Sequence, residues 1–204
     1  MMRLIGMLDS PYVRRVAVSL AMMDLPFALE PLSVFRDLDA FAAINPVVKA
    51  PTLVLDDGTQ LINSTLILAY AERLTPIERH LTPAAVDDYV AAQRVIGLAL
   101  AACEKTMQIA YERRLRPAEK QHQPWLERIQ AQLIAAYTLL DACYSKVDEW
   151  LAEGRPLQAD ITAAIAWQFT RATVPDIVTL QRAPALAALS LRAAALPAFL
   201  ANSG

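Results

Sequence analysis

Apolar and polar positions follow two rhythms along this chain. Up to about residue 62, short apolar runs are interrupted by turn residues, with a single helical stripe between the first two. Met2–Leu8 is a buried first strand. Ser10 and Pro11 then open a helix, because Ser is a preferred N-cap and Pro suits the first helical position. Val13, Val16, Ala17 and Leu20 recur at helical spacing, with Arg14 and Arg15 beside the stripe, and Leu25-Pro26 ends the segment. Phe27–Leu32 reads as a second strand, and Ser33–Ile44 as a shorter helix stopped by Asn45-Pro46. Thr52–Leu55 and Thr59–Ile62 flank Asp56-Asp57-Gly58, a hairpin turn signal in which Gly supplies a positive φ. Asn63 and Ser64 are both good N-caps for the helical run Thr65–Glu72. The order is βαβαββα, with a right-handed crossover making the first two strands parallel.

After residue 76 the strand rhythm stops. Residues 77–83 carry proline and mixed charge and read as a linker. Helical period then runs from Ala84 to about Leu115, from Pro124 to about Leu151, and from Ile161 to Arg171. The last of these is apolar nearly all round, which predicts a central place in a bundle. Pro175, Pro184 and Pro197 punctuate the remainder. The expected organisation is an α/β domain over residues 1–76 and an all-helical domain over 84–204.

Composition narrows the function. Hydrophobic residues make up 55% of the 204, enough for a substantial core, and a net charge of -2 with no basic run gives no reason to expect nucleic acid. The two cysteines, Cys103 and Cys143, lie far apart in helical sequence, so a disulfide framework is not expected and a reducing compartment is. No charged segment followed by an apolar one opens the chain, and the apolar stretch Ala183–Ala201 is broken by Arg192, Pro184 and Pro197, which favours a buried helix over a membrane span. The expectation is a soluble, cytoplasmic protein. His80 and His122 stand alone, without ligands at metal spacing, so no metal is expected.

Ala50-Pro51 before a hairpin, then Asn63-Ser64 at a helix start, together with Ser10-Pro11-Tyr12-Val13-Arg14-Arg15 after an apolar strand, resembles the glutathione transferases, and among them the serine type of bacteria. The resemblance covers the whole chain in layout and is most specific over the first third. It implies a thioredoxin-like first domain that binds glutathione, followed by a helical-bundle domain. Gln158-Ala159-Asp160-Ile161-Thr162 extends it, except that Leu157 stands where the family usually has Ser or Thr three residues before the Asp, so Asp160 either acts alone at the helix start or shares a cap built differently.

Several roles follow from the resemblance. Ser10 would donate a hydrogen bond to the glutathione sulfur, favouring the thiolate and lowering its pKa. The plain alternative is an N-cap and nothing more. Tyr12 is the rival donor. Asp9 is a poor one, because a carboxylate beside a thiolate opposes ionisation. Asn63 and Ser64 would hold the γ-glutamyl end, or simply cap their helix; the family more often has an acidic residue or Gln at the Asn63 position, and a neutral amide holds an ammonium less strongly. The main chain of Ala50, before a Pro51 that is cis in the family, would pair with the cysteinyl part. Lys49 would face the glycyl carboxylate or stay a solvated surface Lys. Val34, and Phe35 beside it, would border the site. Met7, Leu8, Tyr12, Met107, Tyr111 and Trp167 are candidates for the electrophile pocket, with helix core as the alternative for a stripe of this kind. No Cys lies in the turn after the first strand, so exchange through an enzyme thiol is not expected there. The function implied is attack of a glutathione thiolate on a small apolar electrophile, in a homodimer, with glutathione as co-substrate. A glutathione-dependent peroxidase or reductase, and a non-catalytic binding or scaffold protein, are the alternatives.

Overall fold

The computed structural model describes residues Met1–Gly204. Four strands and eight α-helices follow in order: β1 (Met2–Ile5), α1 (Pro11–Met22), β2 (Phe27–Glu30), α2 (Leu38–Ile44), β3 (Thr52–Val54), β4 (Gln60–Ile62), α3 (Ser64–Glu72), α4 (Val86–Leu115), α5 (Gln123–Tyr144), α6 (Gln158–Thr173), α7 (Pro184–Ala194) and α8 (Pro197–Ala201). The chain divides into two units, Met1–Leu81 with Ala195–Gly204, and Thr82–Ala194. The division falls between Leu81 and Thr82, and Ala195–Gly204, which the sequence reading gave to the helical domain, belongs to the first unit, where α8 lies against α1.

The first unit is a mixed sheet ordered β2-β1-β3-β4. β1 pairs parallel with β2, Leu4 opposite Leu29, and antiparallel with β3, Leu4 opposite Leu53. The order and directions follow the βαβαββα pattern, and this is the thioredoxin-like arrangement that the resemblance implies. Successive strand residues point to opposite faces. Ile5 joins Phe41 of α2 and Val54 in one buried cluster, with Leu32, Val34, Ile44, Val48 and Ala50 packed against it. On the other face α1 and α3 lie together and bury Val13, Val16, Ala17, Leu20, Ile67 and Leu68.

Several elements have other bounds than their sequence signals; β1 stops at Ile5 rather than Leu8, where Gly6 turns the chain, and β2 stops at Glu30 rather than Leu32. α1 stops at Met22 rather than at Pro26, since Asp24 takes a positive φ of 54° and Leu25 N–H donates to the Leu20 carbonyl at 2.9 Å, a Schellman-type stop. α2 begins at Leu38, five residues late, because Ser33 Oγ accepts from the Phe35 and Arg36 N–H groups and Asp37 Oδ2 accepts from Ser33 N–H. Those bonds offer the backbone a turn instead of a helix. α5 ends at Tyr144 and not near Leu151, whose N–H is taken by Asp160 at 3.1 Å.

The second unit packs α4 against α5 and α6, and α7 against α5 and α6. α6 is buried from Gln158 through Trp167, the central place its composition predicts. Its start settles the capping question: Leu157 offers no side-chain acceptor, and Asp160 accepts from Leu157 N–H at 3.0 Å, Leu151 N–H at 3.1 Å and the Tyr144 hydroxyl at 3.1 Å. At the end of α4, Arg113, Arg114 and Arg116 bond Asp176, the Thr173 carbonyl and Glu112. No helix is long and apolar enough to cross a membrane.

Candidate functional site

Three loops of the first unit carry the residues singled out from the sequence. The first leaves β1 at Gly6, whose φ of 138° is a conformation L side chains rarely adopt. Gly6 N–H donates to the Glu30 carbonyl at 3.0 Å, extending the β1–β2 pairing by one residue. A Cβ here would lie 2.6 Å from Val13 Cγ2 and 3.2 Å from Ala50 Cβ, so the end of β1, the first turn of α1 and the loop before β3 converge on this point. Gly6→Ala is therefore expected to lower stability by about 2 kcal/mol, from backbone strain and overpacking together, read as a drop in the urea midpoint.

Ser10 follows as the N-cap of α1, with Pro11 at the first helical position. Its N–H donates to the Met7 carbonyl at 3.1 Å, which closes the turn. Its Oγ accepts from Val13 N–H at 3.4 Å, longer than an ordinary N–H···O bond. The hydroxyl proton is not used by that bond, so Ser10 can cap the helix and still donate. Both sequence readings of Ser10 are thus compatible. Tyr12 is half-buried on the same turn, Met7 and Leu8 are half-buried within the loop, and Asp9 is exposed.

The second loop runs from Asn45 to Thr52. Buried Asn45 donates to Thr52 Oγ1 at 2.8 Å and accepts from Val47 N–H at 3.0 Å, while the Thr52 hydroxyl donates to the Lys49 carbonyl at 2.8 Å. Val48, β-branched, sits at a φ of 51°, a strained position next to the residues of interest. The Ala50–Pro51 peptide is cis. Lys49 is exposed, and Val34 and Ala50 share one packing neighbourhood beside the Ile5–Phe41–Val54 cluster, so the structure does bring these two together. Phe35 is 60% exposed and is not among the residues packed on that cluster.

The third loop starts α3. Asn63 is the N-cap, at a φ of 74°, and its Oδ1 accepts from Thr65 N–H at 2.9 Å. Ser64 is buried, and behind it lies Arg15 of α1, only 2% exposed. Arg15 Nη1 donates to Ser64 Oγ at 3.0 Å and to Thr65 Oγ1 at 3.1 Å. Helix α1 therefore carries Ser10 at its start and, a little over one turn later, a cation that reaches the start of α3. The sequence reading missed Arg15 and Thr65. Its place among Val13, Val16 and Ala17 is the one local sign that this guanidinium turns inward; its partners are distant in sequence.

Arg14, next to it, turns the other way. Its Nε donates to the Asn202 carbonyl at 2.9 Å and its guanidinium lies 5.7 Å from the Phe199 ring centroid, which fastens α8 to α1. Burial pushes the Arg14 guanidinium below its usual range.

The remaining candidates lie in the second unit. Met107 and Tyr111 stand one turn apart on α4, half-buried and 39% exposed respectively, and burial raises the Tyr111 phenol above its usual range. Trp167 differs from expectation. It is 3% exposed, and its ring meets Tyr137 edge-on with centroids 5.5 Å apart, so it belongs to the core of the bundle.

Residues 4–79 match the family model described as glutathione S-transferase, N-terminal domain. Among curated proteins there is no match. Among solved structures, the chain is similar to a glutathione S-transferase from Methylobacterium radiotolerans in complex with glutathione sulfonate, at 28% identity and a TM-score of 0.91 over 98% of this chain and 93% of that one. It is similar to a glutathione transferase family member from Pseudomonas fluorescens with bound glutathione, at 26% identity and a TM-score of 0.88 over 99% of this chain and 98% of that one. A glutathione S-transferase from Methylobacillus flagellatus with glutathione bound shares the fold, at 23% identity and a TM-score of 0.90 over 99% of this chain and 98% of that one.

Proposed function

We propose that the protein is a glutathione transferase of the serine type: residues 4–79 match that family's N-terminal domain model, and the whole chain is similar in fold to solved glutathione transferases. Glutathione lies along the three loops of the first unit. The observation that carries the reading is Ser10: its hydroxyl caps α1 through a long bond, keeps its proton to donate, and stands on the helix whose Arg15 reaches Ser64. The Ala50 main chain pairs with the cysteinyl residue, Asn63 and Ser64 receive the γ-glutamyl end, Lys49 meets the glycyl carboxylate and Val34 borders the peptide. That two relatives above 25% identity are named as holding glutathione or glutathione sulfonate supports this assignment.

The chemistry needs little from the protein beyond position and charge. The bound thiol gives its proton to solvent, and Ser10 stabilises the thiolate left behind by donating to it. The positive end of α1 adds to that stabilisation. The sulfur then forms a bond to the electrophilic carbon as the leaving group departs with its electron pair. Met7, Leu8 and Tyr12 of the first unit are the residues proposed to receive the apolar electrophile. Self-association into a homodimer is part of the same reading. Val86, Tyr89 and Val90, at 74%, 45% and 60% exposure on α4, support it.

Glutathione titrated into the protein at a series of pH values tests the reading. Ultraviolet thiolate absorbance from the bound peptide, present about one unit or more below the free thiol pKa near 8.5, is the expected result. Absence of glutathione binding overturns it.

A further inference from the structure

A buried guanidinium at the back of a candidate ligand seat is an expensive thing to hold, and its bonding pattern says what it does. Arg15 is 2% exposed and Ser64 is 5% exposed. A guanidinium has N–H donors and no acceptor. Where Arg15 Nη1 meets Ser64 Oγ at 3.0 Å and Thr65 Oγ1 at 3.1 Å, both hydroxyl oxygens must therefore accept. Each hydroxyl has one proton, and neither can direct it toward Arg15. Both protons are released to the other side. At the same place, Asn63 Oδ1 accepts from Thr65 N–H, so the group Asn63 has left to offer is its amide nitrogen, a donor. The start of α3 thus presents donors, backed by a positive charge in a low-dielectric interior, and the partner such a set recognises is a carboxylate.

We propose that Arg15 is a positioning residue for ligand carboxylate at the start of α3: it sets the polarity of the Ser64 and Thr65 hydroxyls, so that Thr65 becomes a second hydroxyl donor to the α-carboxylate of the γ-glutamyl group. This rests on the glutathione reading of the site given above. It adds two residues to that site, one that touches the ligand and one that acts through its neighbours. Selectivity at this end of the ligand then follows the carboxylate, and the cation behind Ser64 supplies much of it.

The test compares glutathione with its analogue in which the γ-glutamyl α-carboxylate is capped as a carboxamide. Affinities are measured by calorimetry for wild type, Thr65→Val, Arg15→Lys and Arg15→Met, with near-ultraviolet circular dichroism to verify folding. Wild type is expected to prefer glutathione over the amide by tenfold or more. Arg15→Met is expected to weaken glutathione by about tenfold while leaving the amide nearly unchanged, so that the preference collapses, and Arg15→Lys to retain part of it. Thr65 is exposed, so Thr65→Val tests the proposal even if Arg15→Met does not fold; it should cut the preference about threefold or more. Equal weakening of both ligands in Arg15→Met, or an unchanged preference in Thr65→Val, overturns the proposal while the glutathione reading stands. If wild type binds neither ligand, the reading of the site fails and the proposal falls with it.

Discussion

Replacing Ser10 with Ala raises the pKa of the bound glutathione thiol by about one to two units. That is the value of one hydrogen bond to a charged group, about 1.5–3 kcal/mol, expressed as a shift in ionisation. Below the wild-type thiol pKa the conjugation rate falls about ten- to a hundredfold, and it recovers as pH climbs through the new pKa, because the thiolate then forms without help. Thiolate absorbance against pH, followed alongside kcat/KM, measures both. The structural cost of the same substitution is small. The cap bond from Val13 N–H to Ser10 Oγ is 3.4 Å long, so its loss belongs at the low end of the cap range, about 0.5 kcal/mol. A chemical defect in a protein of nearly normal stability is the result that separates a thiolate donor from an N-cap. If the absorbance survives the substitution, the donor is another hydroxyl, and Tyr12→Phe identifies it.

Asp160→Ala destabilises the protein by about 3 kcal/mol. The Asp160 carboxylate is fully buried and accepts from Leu157 N–H, Leu151 N–H and the Tyr144 hydroxyl. Ala leaves all three donors without an acceptor, at about 1–3 kcal/mol each, partly offset by removing a carboxylate from the interior. The result is measured as a shift in urea midpoint. Asp160 also sets a pH dependence. Burial pushes its carboxyl above the usual range, against the hydrogen bonds that favour its ionised form. A carboxyl with a folded pKa above its unfolded value binds its proton more readily in the native state. Its contribution is complete below the unfolded value, about pH 4, and is lost as pH rises through the folded pKa. Asp160→Asn lacks this titration, so the stability gap between wild type and Asp160→Asn narrows as pH rises from about 4 through the folded pKa.

What could be read in advance was whatever local chemistry decides. Ser10-Pro11 marks the start of α1 because an N-cap followed by Pro fits no other local role as well, and Gly58, at a φ of 87°, turns the β3–β4 hairpin as its flanking Asp residues suggest. Asn63 caps α3 for the same kind of reason. The errors share a different cause. Ser33 and Asp37 have helix-compatible neighbours, yet their side chains capture nearby N–H groups and make a turn. Leu151 carries no signal to stop a helix; its N–H is claimed by Asp160, which only tertiary structure brings near. Trp167 was grouped with ligand-facing aromatics by residue type, whereas its surroundings on α6 make it core. Arg15 lies beside the apolar stripe in sequence but turns inward to two hydroxyl partners about fifty positions on. Side chains whose partners are remote in sequence leave no periodic trace.

The tie between Arg14 and the segment carrying Phe199 and Asn202 has a consequence for synthesis. The first unit is made of residues 1–81 and 195–204, so its last element emerges from the ribosome only after the whole of residues 82–194. A nascent chain halted at residue 194 holds the sheet, Ser10, Arg15 and Ser64, yet the Arg14 guanidinium has neither the Asn202 carbonyl nor the Phe199 ring to meet. The loop so closed is long, but closure entropy grows only logarithmically with length, so the thermodynamic penalty of the detour is modest. The delay is a matter of order: the helix bearing Ser10 waits, with one side uncovered, for a segment translated after an entire second unit.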